Sequence, residues 1–189
     1  MTNNFFIFLR HGDVIVNLNL QASLWELSEG AKKAAEELAY SEKIKKIDLI
    51  YSSSENKAIQ SALPFSRKYN CDIIVVNEFS ELNRKEAINI FSTKEYQEQV
   101  KKAFQFPDES INNWESINHA ISRFTRKIAE LDENHSEKNI LIVSHGIILI
   151  GYFCSLKNNF QNAYQNWIKL QFLDFGFVKE NKIIKDITL

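Results

Sequence analysis

The feature that most constrains the fold is a short apolar run near the start of the chain. Residues 5–9 are all apolar, too few for a globular helix, and Arg10, His11 and Gly12 follow them directly. Such a run predicts a strand that is buried on both faces, as in a parallel sheet covered by helices. In open α/β sheets the ends of such strands face the crevice where ligands bind. The polar turn after residue 9 is therefore a candidate site.

A second predicted strand ends in the same way. Residues 139–143 (Asn-Ile-Leu-Ile-Val) are predicted to form another buried strand, which Ser144, His145 and Gly146 follow. Residues 147–156 are predicted to form an apolar helix. Because parallel strands end at one edge of a sheet, the two histidines are expected to converge. Each His-Gly pair alone also fits an ordinary polar turn. Together, two imidazoles, a guanidinium and a helix N-terminus suit a dianionic phosphoryl group.

A metal ion fits this pattern less well than an anion. No carboxylate-rich cluster and no His-Glu-x-x-His motif accompanies the two histidines. Arg10 is a cation and would repel a metal ion bound next to it. We therefore expect neither a metal ion nor a cofactor at this site.

The rest of the chain alternates short apolar runs with amphipathic segments. Predicted strands cover residues 47–51 and 73–76. Four helices are predicted: one after Ser28, one after Ser116, and two that cover residues 53–69 and 94–104. A terminal hairpin is predicted within residues 170–189. Ser52 and Glu55 match a capping box for the second helix, and Pro64 is expected to kink or shorten it. The alternation predicts one domain, residues 1–189, with an α/β fold: a three-layer α/β/α sandwich around a mostly parallel central sheet.

Residues 82–113 differ in character from the rest of the chain. They are polar, carry scattered aromatic residues and are interrupted by Pro107. Because long insertions between sheet elements often form lids or substrate walls, we expect a lid or specificity insertion here. Four basic residues of this segment could contact an anionic substrate or could lie on ordinary solvated faces: Arg84, Lys85, Lys101 and Lys102.

Composition and charge narrow the class of partner. The formal net charge is −1, with 44% apolar and 25% charged residues, as in ordinary soluble domains. No basic patch predicts binding to nucleic acid or to an anionic membrane, and no apolar stretch has membrane-spanning length. Cys71 and Cys154 fit neither a disulfide framework nor a zinc pattern, and no signal peptide is recognised. We expect a cytoplasmic protein, whose exposed-edge hairpin could mediate a homodimer.

Several segments resemble, in order, the motifs of one enzyme family. Residues 9–13 (Leu-Arg-His-Gly-Asp), with Asn17 six residues after His11, resemble the Arg-His-Gly-Glu signature of the histidine phosphatase superfamily, which has the phosphoglycerate mutase-like fold. The further similar segments are residues 27–30, 51–62, 79–81, 115–123 and 143–146. The resemblance covers most of the chain, and the ordered set is far more specific than any single motif.

The resemblance implies a metal-independent phosphohydrolase of the histidine acid phosphatase and phosphoglycerate mutase-like class, acting on phosphomonoesters of small metabolites. His11 would attack phosphorus and become phosphohistidine, while Glu81 would donate a proton to the leaving oxygen and later take one from water. Arg10 and His145 would also take part in catalysis, and His145 would donate to the phosphoryl oxygens best in its cationic form. The residues implied to bind phosphate are Arg10, Gly12, Asn17, Lys57, His145 and Gly146.

This chain departs from the family pattern at several positions. Lys57 replaces the family's second phosphate-binding arginine, which keeps the charge but loses the bidentate fork. Ser61 replaces a threonine, and Val14 stands where threonine or serine is common. Two alternatives therefore stay open: phosphoglycerate mutase-type phosphoryl transfer, and a family member that binds a phosphorylated ligand without turnover. The mutases usually carry longer insertions, so the length of this chain favours hydrolysis.

Overall fold

A computed structural model describes residues 2–84 and 92–188 as a sheet flanked by helices. The strands β1 to β6 are Phe5–Arg10, Leu49–Ser52, Ile73–Val75, Asn139–Ser144, Phe175–Lys179 and Lys182–Lys185. The helices α1 to α6 are Glu29–Tyr40, Asn56–Tyr69, Thr93–Gln105, Ile117–Asn134, Gly146–Leu156 and Ala163–Lys169. All of these elements except α6 correspond to segments that the sequence predicts.

The sheet has the strand order β3-β2-β4-β1-β5-β6. β3, β2, β4 and β1 run parallel, and β5 and β6 add an antiparallel hairpin beside β1. The predicted three-layer α/β/α sandwich with a mostly parallel sheet is therefore confirmed. β1 and β4 are direct neighbours, and Arg10 pairs with Ser144 at the end of their register. His11 and His145, the next residue after each strand, consequently leave the sheet side by side.

The central strand β1 is buried on both faces of the sheet. Phe6 and Phe8 pack into the core on the side of α4 and α5. Ile7 and Leu9 pack into the core on the side of α1 and α2. Because side chains alternate between the two faces of a strand, a strand covered by helices on both sides needs apolar residues at every position. This explains the uninterrupted apolar run that precedes Arg10.

Two helices begin at the serines predicted to cap them. Ser28 Oγ accepts a hydrogen bond from the backbone N–H of Ala31 at the start of α1. Ser116 Oγ accepts one from the backbone N–H of His119 at the start of α4. Such caps satisfy N–H groups that have no partner within the helix.

The start of α2 differs from the prediction. Ser52 Oγ donates to the carbonyl of Ser53, and α2 begins only at Asn56, with Glu55 as its N-cap residue. The predicted capping box between Ser52 and Glu55 is therefore wrong, because the chain is still extended at Glu55. The helix also continues through Pro64 to its predicted end, so the proline does not shorten it.

The predicted lid segment, residues 82–113, is described only in part. Residues 85–91, which include Lys85, lie outside the described residues. The remainder contains α3, which confirms the helix predicted there. α3 packs against α6 through aromatic side chains, and the ring centroids of Tyr96 and Trp167 lie 5.9 Å apart.

The helix α5 is apolar on all sides because it is enclosed by the rest of the domain. Its residues from Gly146 to Cys154 are all buried, and a helix that is apolar all round is typically an interior helix. Within residues 2–84 and 92–188, no helix combines the length and the apolar character that a membrane span requires.

The backbone around Gly176 in β5 leaves no room for a side chain. A Cβ at this position would lie 2.6 Å from Phe153 Cζ and 2.9 Å from both Ile187 N and Lys185 O. Backbone atoms cannot turn aside, so Gly176→Ala is expected to lower the free energy of unfolding by about 1–3 kcal/mol. Urea denaturation measures this loss.

Gly30 in α1 provides the matched control for this substitution. The nearest atom to a Cβ added there is Ser28 Oγ, at 4.0 Å, and alanine is favoured over glycine within a helix. Gly30→Ala should therefore leave stability unchanged or raise it. Equal losses in the two variants would contradict the packing described for β5.

Candidate active site

His11 directs one ring nitrogen at a backbone carbonyl. Its Nδ1 lies 2.7 Å from the carbonyl oxygen of Gly12. Because a carbonyl oxygen can only accept, Nδ1 carries the proton of the neutral ring and Nε2 keeps its lone pair. The backbone is held as well, since the N–H of His11 donates to the carbonyl of Ser144 at 3.0 Å. The ring is therefore oriented with Nε2 as the nitrogen available for reaction.

The imidazole of His11 is buried among positive charges. Burial lowers its pKa well below the usual range of histidine, and the charges of His145, Lys57 and Arg10 lower it further. The hydrogen bond to the carbonyl of Gly12 acts in the opposite direction but is the weaker effect. His11 is thus neutral near pH 7, which is the form that a nucleophilic nitrogen requires.

Arg10 supplies a cationic donor at the end of β1. Its Nη1 donates to the carbonyl of Leu170 at 2.6 Å, and its Cζ lies 4.2 Å from the ring centroid of Phe172. These contacts fix the guanidinium plane. Its Nε is buried and has no hydrogen-bond partner among the described residues. Although burial lowers the pKa of Arg10, an arginine stays protonated in proteins, so one charged N–H is left without an acceptor.

His145 lies directly beside the first histidine. The ring centroids of His11 and His145 are 5.0 Å apart. His145 Nε2 lies 2.7 Å from Ser53 Oγ and 3.3 Å from Glu55 Oε1, while its Nδ1 is buried without a partner in the described ranges. The two strand-end histidines therefore converge as the sequence predicts.

The charge state of His145 in the free site differs from the expected cation. Burial lowers its pKa well below the usual range, and the charges of Lys57 and Arg84 are the next largest causes. His145 is therefore neutral near pH 7 in the free protein. The reason is that the ring is enclosed by protein and the surrounding cations resist a further positive charge.

Lys57 is buried in the same region and is paired with a carboxylate. Its Nζ donates to the carbonyl of Ala22 at 2.7 Å and forms a short ion pair with Glu55. Glu55 also lies 3.3 Å from His145 Nε2, so Lys57 is close to that ring, and its charge lowers the pKa of both imidazoles. Sequence reasoning identified Lys57 but missed Glu55, because the only local signal for Glu55 was the capping-box pattern.

The side-chain carboxylate of Glu81 binds the first turn of α5. Its Oε2 accepts from the backbone N–H of Ile147 at 2.9 Å, and its Oε1 accepts from that of Ile148 at 3.0 Å. Oε1 also accepts from the N–H of Leu82 at 3.2 Å. Because α5 begins directly after His145, this carboxylate lies close to the second histidine.

Arg123 fixes the segment that carries Glu81. Its Nε and Nη2 each donate to the carboxylate of Glu115 at 2.9 Å. Nη2 also donates to the carbonyls of Ser80 and Glu81, at 2.9 and 3.0 Å. Charge-assisted bonds of this kind are among the stronger ones in proteins. The motif similarity within residues 115–123 thus corresponds to a clamp on the Glu81 backbone.

Gly12 and Gly146 occupy positions of close approach. A Cβ on Gly12 would lie 3.0 Å from the Cβ of Ala31 in α1, and one on Gly146 would lie 3.3 Å from Arg10 Nε. The N–H of Gly12 donates to Ser61 Oγ at 2.9 Å. Ser61 is fully buried and fixes the turn after His11. The only sequence signal for this role is its match to the family threonine.

Asn17 is placed differently from the other predicted phosphate ligands. Its side chain is exposed, and its Oδ1 accepts from the backbone N–H of Asn19 at 3.0 Å. Its carbonyl accepts from the indole N–H of Trp25 at 2.8 Å. These contacts are local to its own loop, whereas Arg10, His11 and His145 are brought together.

The side chains around His11 and His145 are better suited to an anion than to a metal ion. Among residues 2–84 and 92–188, no group of three or more His, Cys, Asp or Glu side chains is placed to hold a metal ion. The two histidines instead have cations as neighbours, Arg10 and Lys57. The combination of the unpartnered N–H of Arg10 and the surrounding positive charge is suited to an anion.

The two buried imidazoles predict a pH dependence of stability. Because the pKa values of His11 and His145 lie well below that of an unfolded-chain histidine, acid protonates the unfolded chain first. The free energy of unfolding should therefore fall as the pH drops below about 6.5, by up to about 1.4 kcal/mol per pH unit for each ring. Urea denaturation at a series of pH values measures this slope.

Single substitutions test whether these two rings cause the change of the free energy of unfolding with pH. His11→Gln and His145→Gln should each make the slope shallower, because each removes one group that binds a proton only in the unfolded chain. An unchanged slope in both active-site variants would contradict the burial described here.

Comparison with known proteins agrees with this geometry. A sequence profile of the histidine phosphatase superfamily (branch 1) matches residues 6–171, and no curated protein shows a significant match. Similar solved structures include the YhfR protein of Bacillus stearothermophilus, with 16% identity, a TM-score of 0.76 and coverage of 96% of this chain and 95% of that chain.

Two further similar structures are phosphatases by name. A mycobacterial glucosyl-3-phosphoglycerate phosphatase shares 18% identity at a TM-score of 0.70, with 92% of this chain and 88% of that chain covered. A phosphoserine phosphatase mutant from Entamoeba histolytica, in complex with phosphoserine, shares 18% identity at a TM-score of 0.70, with 95% and 96% covered.

At these identities the structural neighbours establish the fold, while the profile match over most of the chain establishes the family. The match confirms the resemblance and the enzyme class, a phosphohydrolase, that the sequence predicts. The chain belongs to the histidine phosphatase superfamily (branch 1).

Proposed function

We propose that this protein is a phosphatase that hydrolyses phosphomonoesters of small metabolites through a phosphohistidine on His11. The observation that carries the proposal is the orientation of the His11 ring, whose Nδ1 is bound to the carbonyl of Gly12. A neutral imidazole with a fixed ring and an available Nε2 is the form that can attack phosphorus.

The phosphoryl oxygens would supply the hydrogen-bond acceptors that the free site lacks. Arg10 Nε is a buried donor without a partner among the described residues, and such unsatisfied atoms are rare in folded proteins. His145 Nδ1 is also buried without a partner there, and it would become a second donor once its ring is protonated. Lys57 adds positive charge close to both imidazoles. A phosphoryl dianion would bring both acceptor atoms and a compensating charge, and it gains more charge stabilisation as the transition state forms.

Glu81 is proposed to transfer protons in the two steps. In the first, Nε2 of His11 bonds to phosphorus while the ester P–O bond breaks, and Glu81 gives its proton to the leaving oxygen. In the second, a water oxygen bonds to phosphorus while the P–N bond to His11 breaks and returns its electron pair to Nε2. Glu81 takes the proton of that water, and inorganic phosphate leaves. Among the described contacts, Glu81 Oε2 accepts only the N–H of Ile147, which leaves a lone pair for the proton.

Residues 82–113 are proposed to form the wall that selects the leaving group. Arg84 in this segment donates to the hydroxyl of Tyr96 at 3.1 Å, and its Cζ lies 4.3 Å from the ring centroid of Trp114. The charge of Arg84 lowers the pKa of His145, which supports a position of this segment beside the reacting groups. The names of two structural neighbours, phosphatases of glucosyl-3-phosphoglycerate and phosphoserine, support a small phosphorylated metabolite as the substrate.

Hydrolysis of p-nitrophenyl phosphate tests the proposal. The wild type should release p-nitrophenol in the presence of EDTA and be inhibited by vanadate. His11→Ala should lose about a thousandfold or more in kcat, because the nucleophile is removed. His119→Ala, which changes an exposed histidine, should retain the wild-type rate.

Other outcomes would replace the proposal. Phosphate binding without hydrolysis of any ester in a broad panel would indicate the non-catalytic alternative. Transfer of the phosphoryl group between metabolites in preference to water would indicate a mutase. Activity that disappears with EDTA would indicate a metallophosphoesterase.

Lys57 is expected to contribute to transition-state stabilisation. Lys57→Ala should lower kcat/KM about tenfold or more, equivalent to about 1.4 kcal/mol, while Lys57→Arg should retain or improve activity because the charge remains. Lys68→Ala, which removes a lysine from the other end of α2, is the matched control. Equal kcat/KM values for the wild type and Lys57→Ala would remove Lys57 from the phosphate site.

A further inference from the structure

Glu55 is a buried carboxylate to which the reaction above assigns no role. It is 9% exposed, and one of its oxygens, Oε2, forms the ion pair with Lys57. Its other oxygen, Oε1, accepts from the backbone N–H of Glu81 at 3.0 Å and lies 3.3 Å from His145 Nε2. One carboxylate thus contacts three groups of the candidate site.

The contacts of His145 Nε2 determine which ring nitrogen carries the proton. Nε2 faces Ser53 Oγ at 2.7 Å and the carboxylate of Glu55. A carboxylate oxygen only accepts, and it would repel a lone pair on Nε2, whereas a serine hydroxyl can accept as readily as donate. The neutral ring therefore carries its proton on Nε2 and has a bare lone pair on Nδ1.

In this tautomer His145 cannot donate to a phosphoryl oxygen. Nδ1 is the nitrogen without a partner in the described part of the chain, and its lone pair would repel an oxyanion. The ring centroids of His11 and His145 are only 5.0 Å apart, so a phosphoryl group at His11 comes within reach of His145. Nδ1 becomes a donor to that group when the ring takes up a second proton.

We propose that Glu55 is a positioning residue that prepares His145 to take up a proton when the phosphoryl group binds. The second imidazole is then neutral in the free site and an imidazolium in the occupied site. The proton comes from solvent and adds to Nδ1, while the proton already on Nε2 stays directed at Ser53 and Glu55. The inference rests on the proposed function, since it requires a phosphoryl dianion beside His11.

The charges that face His145 explain why the anion is needed. The cations around it are Lys57, Arg84, Arg123 and Arg10, and the neighbouring acids are Glu55 and Glu81. In the free site, burial and the cations outweigh Glu55 and hold the pKa of His145 well below its usual range. A bound dianion adds negative charge on the Nδ1 side, and Glu55 stabilises the resulting cation on the Nε2 side.

Tungstate, a dianionic analogue of phosphate, tests the inference on the wild type. Nitrogen-15 NMR of protein labelled at its four histidines should show His145 with a proton on Nε2 alone in the free state, and on both nitrogens in the complex. Calorimetry near pH 7, in buffers of different ionisation enthalpy, should show uptake of about one proton per tungstate bound.

Glu55→Gln separates positioning from packing, because glutamine keeps the shape of the side chain. Its amide N–H₂ can donate to Nε2, which would move the ring proton to Nδ1. This variant should therefore bind tungstate with a neutral His145 protonated on Nδ1 and without proton uptake. Glu78→Gln, which makes the same charge change at an exposed position, should keep the full uptake.

The outcomes distinguish this inference from the proposed function. A neutral His145 in the wild-type complex, or full proton uptake in Glu55→Gln, would overturn the role of Glu55. Failure of the wild type to bind tungstate would instead contradict the anion site itself. The wild-type measurement decides the proton uptake even if Glu55→Gln does not fold.

Discussion

The pairing of β1 with β4 is the constraint on which the whole site depends. Their register ends with Arg10 opposite Ser144, so the residues that follow, His11 and His145, leave the sheet as neighbours. The apolar residues of both strands fill the core on the two faces of the sheet. The hydrophobic effect that fixes the register therefore also fixes the distance between the imidazoles.

Desolvation is the second physical factor that determines the chemistry of the site. Both imidazoles are buried among cations and are neutral near pH 7. Neutrality suits His11 as a nucleophile but leaves His145 without a donor toward the substrate. The carboxylate of Glu55 contacts Lys57 and, on the Nε2 side of the ring, His145. In the proposed mechanism it stabilises the positive charge that His145 acquires when the phosphoryl group binds. Substrate binding would thereby complete the positive site.

Much of the fold and the central site were predictable from the sequence. Buried strands appear as uninterrupted apolar runs, and two strands ending in His-Gly are enough to place His11 and His145 at one sheet edge. Glu55 was not predictable in the same way. It precedes α2 in an extended conformation, so its contact with Lys57 follows from the local backbone rather than from helical spacing. Its contact with His145 joins residues that are far apart in the sequence.

The same distinction applies to the other residues of the site. The Arg123 clamp on the backbone of Glu81 needs the loop conformation, which no sequence period encodes. Asn17 matches the family signature in spacing, yet its side chain contacts its own loop. Motif order thus identifies which residues can take part, whereas the contacts decide which nitrogen, proton or carboxylate each one presents.

Transfer of the phosphoryl group to Nε2 of His11 would leave a covalent phosphohistidine that can be trapped. The protein is mixed with a radiolabelled phosphomonoester and the reaction is quenched in base. We expect a base-stable, acid-labile phosphoprotein whose label maps to Nε2 of His11 and is absent from His11→Asn. Turnover by the wild type without any covalent label, or equal labelling of His11→Asn, would contradict this transfer.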